Sequence, residues 1–290
     1  MMEAIVKASG LTKYYGKFKA LDGIDLAIPA GAIIGLIGPN GAGKTTTLKA
    51  LLGLCNFEGQ LSVVDRDPRA ARHKLMEDVC FIADVGILPK WMKVWQALEY
   101  VAGVHPRFDR VKAEAFLATT EIQRHSRIKA LSKGMVTQLH LALVMAIDVR
   151  LLVLDEPTLG LDIIYRKEFY DRLLNDYYDG DRTVIISTHQ VEEIETLLTH
   201  LVFIDRGRTV LDLPMTGIAD QFVEVLVRSE DLEEAMKLQP IHTRNLLGKK
   251  ACLFENRPRS ELARFGELHT PGVSDLFVAK LRSQKLREGV

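Results

Sequence analysis

Apolar positions along this chain come in short, nearly unbroken runs separated by stretches with helical spacing. Residues 32–37, 151–154 and 184–187 are apolar at almost every position, the pattern of a strand covered on both faces, and are expected at the centre of a sheet. Residues 4–8, 61–64, 79–83 and 201–205 add further β-type runs, and Gly207 predicts a tight turn into 208–211. Strands alternating with helical patterns predict an α/β fold with a mostly parallel sheet. Within it, the pattern turns helical over about 89–147, with one stretch at 91–104 and another capped by Asp109 and running to about Thr119. His105-Pro106 breaks the two, because the residue before a proline disfavours helix. This predicts an inserted helical subdomain inside an α/β unit spanning 1–214. Residues 215–290 read as a small α+β appendage, with strands at 222–227 and 251–254, a helix at 231–237 and a last helix from Ser274.

Composition narrows the function. Among 290 residues, 38 basic side chains balance 38 acidic ones, so the basic excess that grips phosphate backbones is missing and no nucleic-acid partner is expected. Apolar residues make up 47 % of the chain, which excludes disorder. Cys55, Cys80 and Cys252 are too scattered for a zinc site or a disulfide framework, and a reducing compartment is expected. The N-terminus carries no secretory pattern, and no stretch approaches the roughly 18 apolar residues of a membrane span.

The chemistry starts at Gly38-Pro39-Asn40-Gly41-Ala42-Gly43-Lys44-Thr45, which fits G-x-x-x-x-G-K-[ST] between an apolar strand and a helix. Glycines let the backbone close around phosphate, and the helix terminus adds partial positive charge. The pattern is that of a P-loop NTPase, with Lys44 expected on the β- and γ-phosphates of ATP and the Thr45 hydroxyl on Mg²⁺; Thr46 extends the binding turn. At the end of the apolar run 151–154 stand Asp155 and Glu156, followed by Pro157. Asp155 is the expected metal residue and Glu156 the expected general base toward water.

Over residues 3–212 the sequence resembles the ATP-binding subunit of ABC transporters. Leu131-Ser132-Lys133-Gly134-Met135 resembles the family signature LSGGQ, with Lys133 and Met135 as departures. Leu159-Gly160-Leu161-Asp162 resembles the family's D-loop, and Ser187-Thr188-His189 its switch-histidine segment. The resemblance implies that Ser132, Gly134 and Asp162 meet the nucleotide of a second subunit, that His189 contacts the γ-phosphate, and that Tyr15, before Gly16, stacks on adenine. Tyr14 is the competing aromatic, since neighbours on an extended segment point to opposite sides. Where the family carries a glutamine after the strand 79–83, this chain has Asp84, implying a differently tuned sensor of the γ-phosphate.

The function implied is an ATP-hydrolysing subunit that dimerises on ATP, as a homo- or heterodimer, and drives a separately encoded transmembrane permease, with export the expected direction. Its expected location is cytoplasmic, peripheral on the inner face of the cell membrane. Trp91, Met92 and Trp95 are candidate apolar anchors for the permease. The alternative is a soluble ABC-type ATPase acting as a regulatory or nucleic-acid- or ribosome-associated factor. Ribosome-acting relatives carry two cassettes and a basic linker, chromosome-structuring ones a long coiled coil, and neither pattern is present.

Overall fold

The computed structural model describes residues 3–82, 88–159, 161–246 and 248–288. Asp84 and Gly160 therefore lie outside the described residues. Three sheets organise the chain. The first is antiparallel in the order β2-β1-β4, from β1 (Ala4–Tyr15), β2 (Phe18–Pro29) and β4 (Glu58–Val63). The second is six-stranded, in the order β5-β6-β7-β3-β8-β9. Its members are β3 (Ile33–Ile37), β5 (Val79–Ile82), β6 (Leu151–Asp155), β7 (Thr183–Thr188), β8 (His200–Asp205) and β9 (Arg208–Pro214). All its pairings are parallel except β8 with β9, which form the hairpin expected at Gly207.

Period-two alternation splits each central strand between two cores. Ile33 and Ile37 of β3, Leu152 and Leu154 of β6, and Val184 and Ile186 of β7 face one core; Ile34, Leu36, Leu151, Val153 and Ile185 face the other. The second core is closed by the antiparallel sheet and by α1 (Lys44–Leu51), and α2 (Arg72–Leu75) adds Leu75. Two expectations need correction here. The runs at 4–8 and 61–64 belong to the separate antiparallel sheet, not to the parallel one. The second strand of that sheet, β2, was not anticipated, because Lys19, Asp22, Gly23 and Asp25 interrupt its apolar pattern.

The helical region comprises α3 (Val94–Val104), α4 (Arg110–Leu117) and α5 (Lys133–Met145) around a core of its own. His105 ends α3 in extended geometry, and the Asp109 carboxylate accepts the Lys112 N–H at 3.0 Å to start α4, as expected. Met92 is buried in this core, so it is no surface anchor; Trp91 is 68 % exposed. After β6, α6 (Ile163–Arg172) leads back to β7.

The remaining chain builds a four-stranded antiparallel sheet, β11-β12-β10-β13. It is made of α7 (Ile218–Gln221), β10 (Phe222–Val227), α8 (Leu232–Lys237), β11 (His242–Leu246), β12 (Lys249–Glu255), α9 (Arg259–Leu262) and β13 (Gly266–His269), followed by α10 (Val273–Glu288). Strands β11 and β13 were not anticipated; both are short and carry half-buried polar residues. Val273, Leu276 and Ala279 of α10 pack in the same core as Ile33, Phe203 and Val184 of the parallel sheet.

Candidate functional site

The loop from Gly38 to Gly43 leaves β3 at the sheet's carboxyl edge, where open α/β sheets bind ligands. Its glycines answer to backbone neighbours. A Cβ on Gly38 would fall 2.3 Å from the Ile204 carbonyl oxygen, and one on Gly43, at φ +111°, 2.9 Å from that of Ala20. Gly207 N–H donates to the Ala42 carbonyl at 2.8 Å, so the β8–β9 turn braces the loop from below. Gly41, at φ +80°, faces open space. Helix α1 starts at Gly43 with no side-chain cap and no acidic residue in its first turn. The N–H groups of Lys44, Thr45 and Thr46 therefore point outward without an intrahelical acceptor, an arrangement that suits an anion.

Three polar side chains, Lys44, Glu156 and His189, converge there. Lys44, 6 % exposed, donates through Nζ to the Gly38 carbonyl at 2.7 Å and lies 3.3 Å from Glu156 Oε1. His189 Nδ1 sits 3.0 Å from both carboxylate oxygens of Glu156. Glu156 is held at φ +48°, an unusual conformation for a residue with a side chain, and its N–H donates to the Ser187 carbonyl at 3.1 Å. Asp155 is buried and accepts the Ser187 hydroxyl at 2.5 Å through Oδ1. Sequence reasoning missed that contact, along with a second network. The Thr158 and Tyr170 hydroxyls lie 3.2 Å apart, and Arg166 bridges the Leu161 carbonyl, Gln190 and Glu193. Burial pushes the Tyr170 phenol up, so it stays protonated.

The site fits a divalent ion only in company. No group of three or more His, Cys, Asp or Glu side chains able to hold a metal occurs among the described residues. Asp155 keeps one carboxylate oxygen without a protein donor among them, and Thr45 is exposed on the first turn of α1. A two-ligand setting that leaves the remaining positions to water and phosphate oxygens suits Mg²⁺.

Not every expected residue joins this cluster. Ser132 is an exposed N-cap of α5, accepting the Met135 N–H at 3.2 Å, and Asp162 caps α6 through the N–H groups of Ile164 and Tyr165 at 3.0 and 3.1 Å. Gly134 lies beneath the Tyr165 ring, where a Cβ would sit 2.7 Å from it. Tyr165 thus brings the start of α5 and the start of α6 together, while neither Ser132 nor Asp162 hydrogen-bonds to Lys44, Glu156 or His189. Tyr15 and Tyr14 stand about half exposed at the β1–β2 turn, with Lys13 Nζ 5.0 Å from the Tyr15 ring centre and Lys19 Nζ 5.7 Å from that of Tyr14.

Known proteins resemble the chain in sequence and in fold. Residues 21–159 match a family described as "ABC transporter". Nod factor export ATP-binding protein I of Cupriavidus metallidurans is 30 % identical, over 99 % of this chain and 100 % of its own. Sulfate/thiosulfate import ATP-binding protein CysA of Neisseria meningitidis is 30 % identical over 74 % of this chain and 62 % of its own. A solved structure titled as the ATP-binding subunit of an ABC transporter superposes with a TM-score of 0.66 at 22 % identity, covering 74 % of this chain and 92 % of that one.

Proposed function

Because the chain belongs to the ATP-binding subunits of ABC transporters, and so hydrolyses ATP, we propose that it is the motor of an export system: two copies close on ATP and drive a separate membrane-spanning protein. The observation that carries this reading is the line Lys44–Glu156–His189 at the uncapped start of α1. Here the backbone N–H groups of the loop and the first turn of α1 hold the phosphates, Lys44 leaves the Gly38 carbonyl to neutralise them, and Tyr15 stacks on the base. Thr45 and Asp155 would hold Mg²⁺, which when bound supplies charge neutralisation at the phosphate oxygens. Glu156 takes the proton of the attacking water, and His189 orients that carboxylate.

Ser132 and Asp162 are exposed caps apart from this cluster, drawn together by Tyr165 packed over buried Gly134, which supports a role for this edge on the nucleotide of a second copy. Exposed Ile163 and Ile164 flank Asp162 on that surface. No helix among the described residues is long and apolar enough to cross a membrane, and the reading assigns the membrane path to a separate protein. Export is favoured because the relative that matches 99 % of this chain, and 100 % of its own length, is named for Nod factor export.

The test is Glu156→Gln. It should bind ATP normally, hydrolyse it hundreds of times more slowly, since general bases contribute about 10²–10⁴-fold, and form an ATP-dependent dimer by light scattering. Retained turnover, or an ATP-loaded monomer, overturns the reading. Lys44→Ala should abolish the calorimetric heat of ATP binding.

A further inference from the structure

Between His189 and β8 the chain makes two short helical turns, at Val191–Glu193 and Glu195–Leu197, whose acidic side chains engage α6 on one side and α10 on the other. On one side Glu193 pairs with Arg166 of α6, and Gln190 Oε1 accepts from Arg166 Nη1 at 2.8 Å. On the other, Glu192 Oε1 accepts the Ser274 hydroxyl at 2.6 Å and Glu195 Oε1 accepts the Val273 N–H at 3.0 Å, both at the start of α10. Between these contacts Val191 and Ile194 are buried in the core that also holds Val273 and Leu276. Upstream, His189 follows directly on β7, whose last residue, Thr188, pairs with Ile37. Downstream its position is set by what holds 190–197, because the imidazole is one-third exposed and, among the described residues, its hydrogen bonds go to Glu156 alone.

We propose that α10 is a positioning element for the ATPase site: its first turn, gripping Glu192 and Glu195, fixes the segment 190–197 and through it sets His189 against Glu156. This rests on the reading of Glu156 and His189 as catalytic. The physical logic is mutual. The first N–H groups of α10 need acceptors, and a carboxylate at a helix N-terminus is electrostatically favoured there. The Ser274 hydroxyl also holds the Glu192 carboxyl below its ordinary range, so the contact favours the charged form that makes it. A displacement of either end of α10, by a partner bound to the C-terminal sheet, would then reach the histidine without touching nucleotide.

The full-length chain carrying Glu195→Ala with Ser274→Ala tests this. Expected is a fall in kcat of about ten- to a hundredfold, the range for a misplaced catalytic group, with KM for ATP within about twofold. The ¹⁵N ring resonances of His189 should move in the nucleotide-free protein, and Glu195→Gln with Ser274→Thr, which keeps both partners, should restore kcat. Unmoved His189 resonances with unchanged kcat overturn the proposal, as does a loss of activity that merely tracks the unfolded fraction. Glu156→Gln run alongside separates the two levels: full turnover in that variant sinks the catalytic reading, whereas a moved or unmoved His189 signal decides the role of α10 regardless of turnover.

Discussion

Gly38 shows how little freedom the phosphate loop has. Its missing side chain makes room for the backbone of β8: a methyl group would sit 2.3 Å from the Ile204 carbonyl oxygen and 3.0 Å from Ala42 Cβ, and a strand carbonyl cannot rotate aside. Gly38→Ala should therefore shift the loop, costing about 1–3 kcal/mol of stability in urea and at least about tenfold in ATP affinity by calorimetry. Gly41→Ala is the contrast. It meets open space and bears only the left-handed conformation, at about 1–2 kcal/mol, so its loss should appear in stability more than in the fit of the loop. Equal affinities for wild type and Gly38→Ala would show that the loop tolerates the shift. At this scale the motif at residues 38–45 pointed to Lys44, and the acidic pair closing the apolar run 151–154 pointed to Asp155 and Glu156. The sequence concealed the Ser187–Asp155 and His189–Glu156 contacts, which exist because β6 and β7 are neighbours in the sheet although 28 residues of chain separate Asp155 from Val184.

The elements legible in advance were those whose pattern is dictated by burial. Strands β3, β6 and β7 are buried throughout and apolar at their centres because both faces are covered, and α4 announces itself by Asp109. Strands β2, β11 and β13 were hidden because an antiparallel strand with one wet face tolerates charge. Helix α5 also carries a residue that sets its behaviour with pH. Nε2 of His140 is buried without a partner, and burial pushes the imidazole down to about 4. An unfolded histidine titrates near about 6.5, so the folded state binds this proton less readily than the unfolded one. The stabilisation is complete above about pH 6.5 and is lost as pH falls toward 4. The urea midpoint should decline across that window, where His105 and His242, also lowered chiefly by burial, add to the slope. His140→Leu removes an unsatisfied polar group; it should stabilise the protein at pH 7 by about 1 kcal/mol and flatten the decline. An unchanged slope would show that His140 takes up its proton as easily folded as unfolded.

At the scale of the whole molecule, the three bodies that frame the site meet at Asp78. Its carboxylate takes Arg66, from the turn after β4, at 2.5 Å and Arg107, from the link between α3 and α4, at 2.8 Å. Its own carbonyl accepts the N–H groups of Arg150 and Leu151 at the start of β6, at 3.0 and 3.1 Å. One residue thus ties the antiparallel sheet, the parallel sheet and the helical region together. Burial pushes this carboxyl up, but the hydrogen bonds from Arg66 and then Arg107 outweigh it, and the net direction is down. A depressed carboxyl stabilises the fold at any pH above the unfolded value of about 3.9 and loses that contribution as pH falls through the lower folded one. Asp78→Asn removes the charge while keeping the shape. It should cost about 2 kcal/mol at pH 7, because two guanidinium groups lose their anion, and should raise amide hydrogen exchange in α3 and α4 ahead of β3 and β7. The gap between wild type and variant should then start to narrow as pH falls below the unfolded carboxyl value of about 3.9, and close once pH passes the lower folded one. Stability curves that stay parallel down to pH 2 would mean that the carboxylate contributes nothing to holding the three bodies in register.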